Sequence, residues 1–217
     1  MSKKPIIVFE GIECSGKSLH INNVAKYLQK KRISYIKIRE PGGSKNSEKI
    51  RKIILDKKNI FSKNTDLLLY LASRSENIEL IKKNYKKKII LIDRFIDSTI
   101  AYQHYGMGVN LRIINQMNNF LLSNIRPNFT FLNIVNSRNM IERLKKRKNL
   151  NRYDKFKINF YKKVQNGYLK LYKKNPKIYQ LIDTNLMINI NKDIILDRVK
   201  KLIKWIYKQI FKQEFMV

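Results

Sequence analysis

Residues 11–18, GIECSGKS, follow the pattern G-x-x-x-x-G-K-S that forms a phosphate-binding loop, or P-loop. The apolar run PIIVF at residues 5–9 precedes this motif and is typical of a short, buried parallel strand. Residues 19–31 follow it and place apolar side chains at helical spacing. The sequence therefore predicts a strand, a glycine-containing loop and a helix, in the order that a phosphate-binding loop requires.

This loop predicts a binding site for the phosphates of a nucleotide. Gly11 and Gly16 lack a Cβ atom, so the backbone can wrap with its N–H groups pointing inward, where they and the helix N-terminus favour a polyanion. The Lys17 amine is expected to reach the β- and γ-phosphates, and the Ser18 hydroxyl to bind Mg²⁺. The predicted ATP-binding residues of the loop are Gly11, Ile12, Glu13, Cys14, Ser15, Gly16, Lys17 and Ser18.

The composition bounds the class of protein. The chain has 217 residues, one Cys and a net charge of +31. The lysines are spread over every predicted helix, and Ile and Asn are abundant too, which favours a bias of the whole chain over a nucleic-acid surface. A single Cys excludes an internal disulfide, and we find neither a signal peptide nor an apolar run long enough to span a membrane. We expect a cytoplasmic protein with no membrane or specific nucleic-acid partner.

Five short apolar runs alternate with helical segments along the chain. The predicted strands are residues 5–9, 33–39, 89–92, 129–135 and 177–182. The predicted helices are residues 19–31, 47–56, 65–85, 95–105, 111–124, 137–146, 153–174 and 191–211. This alternation predicts an α/β fold of the P-loop NTPase type, a doubly wound five-stranded parallel sheet with helices on both faces, in one domain over residues 1–217.

Charged side chains follow two of these strands. Arg39 ends the second strand before Pro41 and Gly42, and Asp93 ends the third strand. Because ligands bind at the carboxyl edge of an open parallel sheet, Arg39 is a candidate for a second phosphate, although an incidental turn residue is an equally good interpretation. An Asp after a buried strand resembles a Walker-B residue, so Asp93 is predicted to lie near Mg²⁺.

Two further features of the sequence can each be interpreted in two ways. Tyr70 and Arg74 lie four residues apart on one face of a predicted helix, where both could line a binding pocket. Alternatively, Tyr70 packs in the core and Arg74 is a solvated surface charge. Residues 143–152, RLKKRKNLNR, are either a solvated helix face or a lid that supplies arginines to a transferring phosphoryl group.

Five segments together resemble the thymidylate kinase family over nearly the whole chain. They are residues 9–18 (FEGIECSGKS), 39–43 (REPGG), 93–103 (DRFIDSTIAYQ), 126–130 (RPNFT) and 151–154 (NRYD). The resemblance implies transfer of the γ-phosphoryl group of ATP to dTMP, giving ADP and dTDP in dTTP synthesis. It also implies Mg²⁺, a homodimer formed through helices packed side by side, and a basic lid at about residues 143–154.

The resemblance assigns roles to matched positions. Arg39 and Arg94 would hold the dTMP phosphate, Tyr70 would stack on thymine, and Arg74 would bond the base. Tyr102 would contact the sugar and disfavour ribonucleotides, and Glu13 would contact the 3′-hydroxyl. Gln103 would line the base pocket, and Arg143 would contact adenine.

The catalytic arginines are expected in the lid. One class of the family carries an Arg in the P-loop, whereas residues 13–15 contain none here, so the chain resembles the class that uses lid arginines. The candidates are Arg147 and Arg152, acting with Lys17 and Arg94, and Arg152 is also expected to pair with Asp154 or a neighbouring carboxylate.

The chain departs from the family pattern at a few positions. Ile134-Val135 stands where an Asp-Val pair is common, the lid ends Asn151-Arg152-Tyr153-Asp154 where D-R-x-E is common, and Cys14 replaces a small residue or Arg. Three other functions stay open. The first is another nucleotide or nucleoside kinase of this fold, and the second is a nucleic-acid-binding P-loop ATPase. The third is a GTPase, which the absence of an N-K-x-D signature disfavours.

Overall fold

A computed structural model describes the backbone of residues 4–214 and the side chains of residues 4–204. Five parallel strands form one sheet in the order β2-β3-β1-β4-β5. Their bounds are β1 Ile6–Glu10, β2 Tyr35–Arg39, β3 Ile89–Asp93, β4 Phe129–Ile134 and β5 Tyr179–Asp183. The predicted five-stranded parallel sheet is confirmed.

Helices connect consecutive strands and cover the sheet. Their bounds are α1 Lys17–Lys30, α2 Lys45–Leu55, α3 Lys63–Asn84, α4 Ile96–Thr99, α5 Leu111–Leu122, α6 Ser137–Lys145, α7 Ile158–Lys174 and α8 Ile188–Glu214. A π-helix at Ile100–Gly106 continues α4, and 3₁₀ turns lie at Arg152–Lys155 and Pro176–Ile178. None of the helices, within the described residues, is long and apolar enough to cross a membrane.

The strands β1, β3 and β4 are buried on both faces, which explains why they are mostly apolar runs without alternation. On one face Ile7 and Phe9 of β1 pack in a cluster that includes Val24 of α1 and Val199 of α8. On the other face Ile6 and Val8 join a cluster with residues of α3 such as Ile78. Helices on both faces are therefore the consequence of the strand sequences.

Two of the predicted elements whose starts differ from the structure begin later because a 3₁₀ turn precedes them. The helix predicted from residue 153 begins at Ile158, because Asn151 and Asp154 form a capping box around a separate 3₁₀ turn that ends at the extended Phe156. The fifth strand begins at Tyr179 and not at residue 177, because Pro176 starts a short 3₁₀ turn. Residues 152–155, at the end of the basic segment, are thus held in a tight turn ahead of α7.

Candidate active site

The phosphate-binding loop joins β1 to α1 with glycines at two positions of positive φ, a conformation that side chains disfavour. Gly11 has a φ of +137° and a Cβ there would collide with the carbonyl oxygen of Asn133 in β4. Gly16 has a φ of +78° and precedes the first turn of α1. The backbone can therefore curl over the end of β1 and leave the N-terminus of α1 open to an anion.

Lys17 lies buried within the loop. Its Nζ donates a hydrogen bond to the carbonyl oxygen of Ile12 at 2.7 Å. Burial, with the nearby Arg94 cation, lowers the pKa of Lys17 to about 8, although three carboxylates nearby act in the other direction. The amine is therefore mostly charged at neutral pH and lies at the loop where phosphates are expected.

Ser18 and Asp93, the two residues predicted to lie near Mg²⁺, contact each other. The Ser18 hydroxyl donates to Asp93 Oδ2 at 3.0 Å, across the gap between α1 and the carboxyl end of β3. A hydroxyl and a carboxylate are hard oxygen donors that suit Mg²⁺, which takes its other ligands from phosphates and water. Among the described side chains of residues 4–204, no cluster of three His, Cys, Asp or Glu could hold a metal by itself.

A cavity of about 400 Å³ opens beside the loop at the carboxyl edge of the sheet. Most of the predicted site residues line it: Glu13, Cys14, Ser15, Gly16, Lys17, Ser18, Arg39, Tyr70, Asp93, Arg94, Tyr102, Gln103 and Arg147. Residues far apart in the sequence thus share one cavity that adjoins the phosphate-binding loop.

Arg94, Glu13 and Tyr102 form one cluster in the wall of this cavity. Arg94 Nη2 lies 3.0 Å from Glu13 Oε1, and its Nη1 donates to the Gly11 carbonyl oxygen at 2.8 Å. The Tyr102 hydroxyl donates to the other Glu13 oxygen, and the guanidinium lies 5.0 Å from the Tyr102 ring centre. The cluster fixes the end of β3 and the π-helix against the phosphate-binding loop.

Comparisons with known proteins point to one family. The thymidylate kinase family model matches residues 9–195. The thymidylate kinase of Kosmotoga olearia is 35% identical to the chain, over 84% of the chain and 88% of that protein. The thymidylate kinase of Thermoanaerobacter sp. is 37% identical, over 92% of the chain and 98% of that protein. The crystal structure of thymidylate kinase from Ehrlichia chaffeensis superposes with a TM-score of 0.73 at 30% identity, over 92% of this chain and 99% of that one.

The chain belongs to the thymidylate kinase family. Several residues expected from the family lie in or near the cavity.

Arg39 is exposed at the carboxyl end of β2. It forms a bidentate ion pair with Glu48 of α2, at 3.0 and 2.8 Å, and its side chain is 56% exposed. An exposed pair of this kind contributes little to stability, so a phosphate can replace Glu48 at small cost.

Arg74 lies behind the cavity and not on its surface. Its side chain is 1% exposed and donates to Glu40 at 2.8 Å, to Asn118 at 2.7 Å and to the Phe95 carbonyl oxygen at 2.8 Å. These protein groups hold its guanidinium, so a contact with a base stays a prediction.

Arg143 also lies outside the cavity lining. It donates to the Cys14 carbonyl oxygen at 3.1 Å and to the carbonyl oxygen of Thr184 at 2.5 Å. Arg143, the residue predicted to contact adenine, thereby ties the phosphate-binding loop to the loop between β5 and α8.

The two candidate lid arginines are held in different places. Arg147 lines the cavity and lies 2.7 Å from Asp154. Arg152 pairs with Asp66 of α3 and donates to the Ile54 carbonyl oxygen at 2.9 Å, so its partner is the neighbouring carboxylate and not Asp154. Only Arg147 is directed to the cavity in this arrangement.

Several residues of the site carried no signal in the sequence. Arg51 of α2 lines the cavity and donates to the Pro41 carbonyl oxygen at 2.5 Å, and burial lowers its pKa. Its helix resembles the other Lys- and Arg-rich helices of the chain, so nothing distinguished this one cation.

A buried network beneath the cavity was missed as well. Glu10 accepts hydrogen bonds from the Phe95 N–H at 2.7 Å, the Ser98 hydroxyl at 2.6 Å and the Tyr168 hydroxyl at 3.1 Å. Burial raises the pKa of Glu10, although these donors and Arg94 act against the shift. Its position as the last residue of β1, next to the glycine loop, is the one sequence signal that could have identified it.

Proposed function

We propose that the protein transfers the γ-phosphoryl group of ATP to dTMP, giving ADP and dTDP. The observation that carries this proposal is one cavity whose wall includes both the phosphate-binding loop and a second cationic, aromatic region around Arg94, Tyr102 and Tyr70. Membership of the thymidylate kinase family supports the choice of dTMP over other acceptors.

On the donor side, the loop and Lys17 would bind the triphosphate. Ser18 and Asp93, whose oxygens lie 3.0 Å apart, would hold Mg²⁺. When bound, Mg²⁺ neutralises phosphate charge and orients the transferred group. The buried Lys17 amine would add a fixed cation beside the β- and γ-phosphates, where low polarity strengthens its effect.

On the acceptor side, Arg39 and Arg94 would orient the dTMP phosphate. Its oxygen is already an anion near neutral pH, so no general base is required and positioning supplies most of the rate. Tyr102 would crowd the sugar 2′ position, Glu13 would contact the 3′-hydroxyl, and Tyr70 with Gln103 would enclose the base. The Arg74 contact would require its guanidinium to exchange a protein partner for the base.

The lid would complete the site. We propose that the basic segment at about residues 143–154 closes over the phosphates as part of one domain, with Arg147 supplying charge to the transferring group. Its pairing with Asp154 at 2.7 Å holds it at the cavity before substrates bind.

A coupled assay of ADP release tests the assignment. Turnover with ATP is compared across dTMP, dUMP, dGMP, dCMP and thymidine. We expect dTMP to give the highest kcat/KM by a wide margin and thymidine to give none, because thymidine lacks the acceptor phosphate. Equal turnover across the monophosphates, or turnover with thymidine, would assign a different kinase of this fold.

We further propose a homodimer that acts in the cytoplasm. Large apolar side chains are exposed on the neighbouring helices α3 and α5, with Leu68, Ile113 and Phe120 exposed by 57%, 50% and 77%. A second copy packed against these helices would bury them. Light scattering after gel filtration should give twice the chain mass, and Phe120→Asp should shift the protein to monomer; a monomeric parent would contradict the proposal.

A further inference from the structure

A buried carboxylate joins the lid segment to the acceptor part of the cavity. Asp66 lies in the first turn of α3, and its side chain is 2% exposed. It has no place in the phosphate-binding loop or among the residues that line the cavity. Even so, it accepts hydrogen bonds from three side chains of two different elements.

Two of these donors belong to the lid's 3₁₀ turn at Arg152–Lys155. Arg152 forms an ion pair with Asp66 Oδ1, and the Tyr153 hydroxyl donates to Oδ2 at 2.5 Å. The Arg152 guanidinium also lies 5.1 Å from the ring centre of Phe61, just before α3. The lid therefore attaches to the N-terminal end of α3 through a charged, buried contact.

The third donor belongs to the cavity wall. Gln103 of the π-helix donates through Nε2 to Asp66 Oδ2 at 3.0 Å. This bond leaves the Gln103 amide oxygen oriented by a fixed partner. Tyr153 adds a packing link, since its ring lies edge-on to those of Tyr70 and Tyr102, with centres 5.9 Å apart in both pairs.

We propose that Asp66 is a positioning residue that couples attachment of the lid to the shape of the acceptor pocket. Its single carboxylate fixes the Gln103 amide on one side and Arg152 with Tyr153 on the other. Loss of the charge leaves the buried Arg152 unpaired and frees the turn that precedes α7. This inference rests on the proposed function only for its kinetic consequence, because attachment of the lid can be measured without substrates.

Limited proteolysis measures that attachment. The exposed segment of Lys145, Lys146, Arg147 and Lys148 offers trypsin several sites, and release of the neighbouring turn at residues 152–155 should let this segment adopt the extended conformation that the protease cleaves. Asp66→Asn keeps the side-chain shape and removes the charge. We expect it to speed cleavage about tenfold, because losing one hydrogen bond to a charged group typically costs about that factor. Tyr153→Phe removes one hydroxyl and keeps the ring, and is expected to act in the same direction with a smaller effect.

Ser62→Ala is the matched control. Ser62 caps the same end of α3 by accepting the Thr65 N–H, and it contacts neither the lid nor Gln103. This variant loosens the helix end without removing the coupling, so its cleavage rate should equal that of the parent. If Asp66→Asn fails to fold, Tyr153→Phe still decides the question.

Kinetics separate coupling from a loss of folded protein. We expect Asp66→Asn to raise the KM for dTMP about tenfold through the disoriented Gln103 while the KM for ATP stays within about twofold. Because Tyr153 acts through Asp66, the double variant should match Asp66→Asn alone, whereas independent effects would multiply.

Unchanged cleavage in both Asp66→Asn and Tyr153→Phe, or multiplied effects in the double variant, would overturn the proposal. If the parent did not phosphorylate dTMP, the proposed function would fail, and the cleavage rates would still decide the role of Asp66.

Discussion

At the scale of single residues, Lys17 links burial to activity through its pKa. Burial lowers that pKa to about 8, so in the free protein the cation is lost as the pH rises through 8. We expect kcat/KM for ATP to fall above this pH. At saturating ATP, kcat should persist to higher pH, because bound phosphates favour the charged amine.

Lys17→Arg is the control for this prediction, since arginine keeps its charge throughout the accessible range. Whatever activity remains in this variant should lack the decline above pH 8. A parent profile for kcat/KM that stays flat to high pH would show that the Lys17 charge does not limit ATP binding.

Tyr102 offers a test of sugar selectivity at the same scale. Its ring packs near the Arg94 guanidinium and its hydroxyl donates to Glu13, so the two parts of the side chain can be removed separately. Tyr102→Phe should keep the preference for dTMP over its ribose analogue, whereas Tyr102→Ala should narrow it by about tenfold or more, a typical value for lost pocket contacts. The ratio of kcat/KM for the two nucleotides is the measurement, and an unchanged ratio in Tyr102→Ala would place the sugar elsewhere.

At the scale of elements, the lid segment holds its two candidate arginines in different places. Arg147 lines the cavity, whereas Arg152 is held by Asp66 and the Ile54 carbonyl oxygen. An arginine that reaches a phosphoryl transition state is typically worth ~10³-fold in turnover. Arg147→Ala should therefore lower kcat by that order at saturating ATP and dTMP.

Arg152→Ala should act mainly through the attachment of the lid. We expect a smaller loss of kcat and faster cleavage by trypsin near residue 148. If neither single variant nor the double variant lost more than a few-fold in kcat, the lid would not supply the catalytic charge.

The same elements show what could be predicted from the sequence. The strands were predictable because β1, β3 and β4 are buried on both faces and must be apolar. Asp93 and Ser18 were predictable because strand ends and a loop motif share one sheet edge. The partners of Arg74 and Arg152 were not, since they come from α3, the Glu40 turn and α5, whose packing depends on the whole fold.

At the scale of the whole molecule, the net charge of +31 invites a test against nucleic acid. The exposed lysines lie on several helices, for example Lys49 of α2, Lys163 of α7 and Lys200 of α8. A nucleic-acid surface would instead gather cations along one face or stripe. The fold therefore supports general attraction of anions, including nucleotides, without a defined path for a phosphate backbone.

Binding to labelled single- and double-stranded DNA, titrated across salt concentration, is the decisive measurement. Attraction by dispersed lysines should give binding at low salt that weakens steeply, with a Kd above about 10⁻⁶ M at physiological salt and no sequence preference. DNA should also leave the rate of ATP turnover with dTMP unchanged at that salt, because no part of the cavity would contact it. Tight binding that persists there, together with ATP hydrolysis stimulated by DNA in the absence of dTMP, would instead favour a nucleic-acid-dependent ATPase and would assign the charge a function of its own.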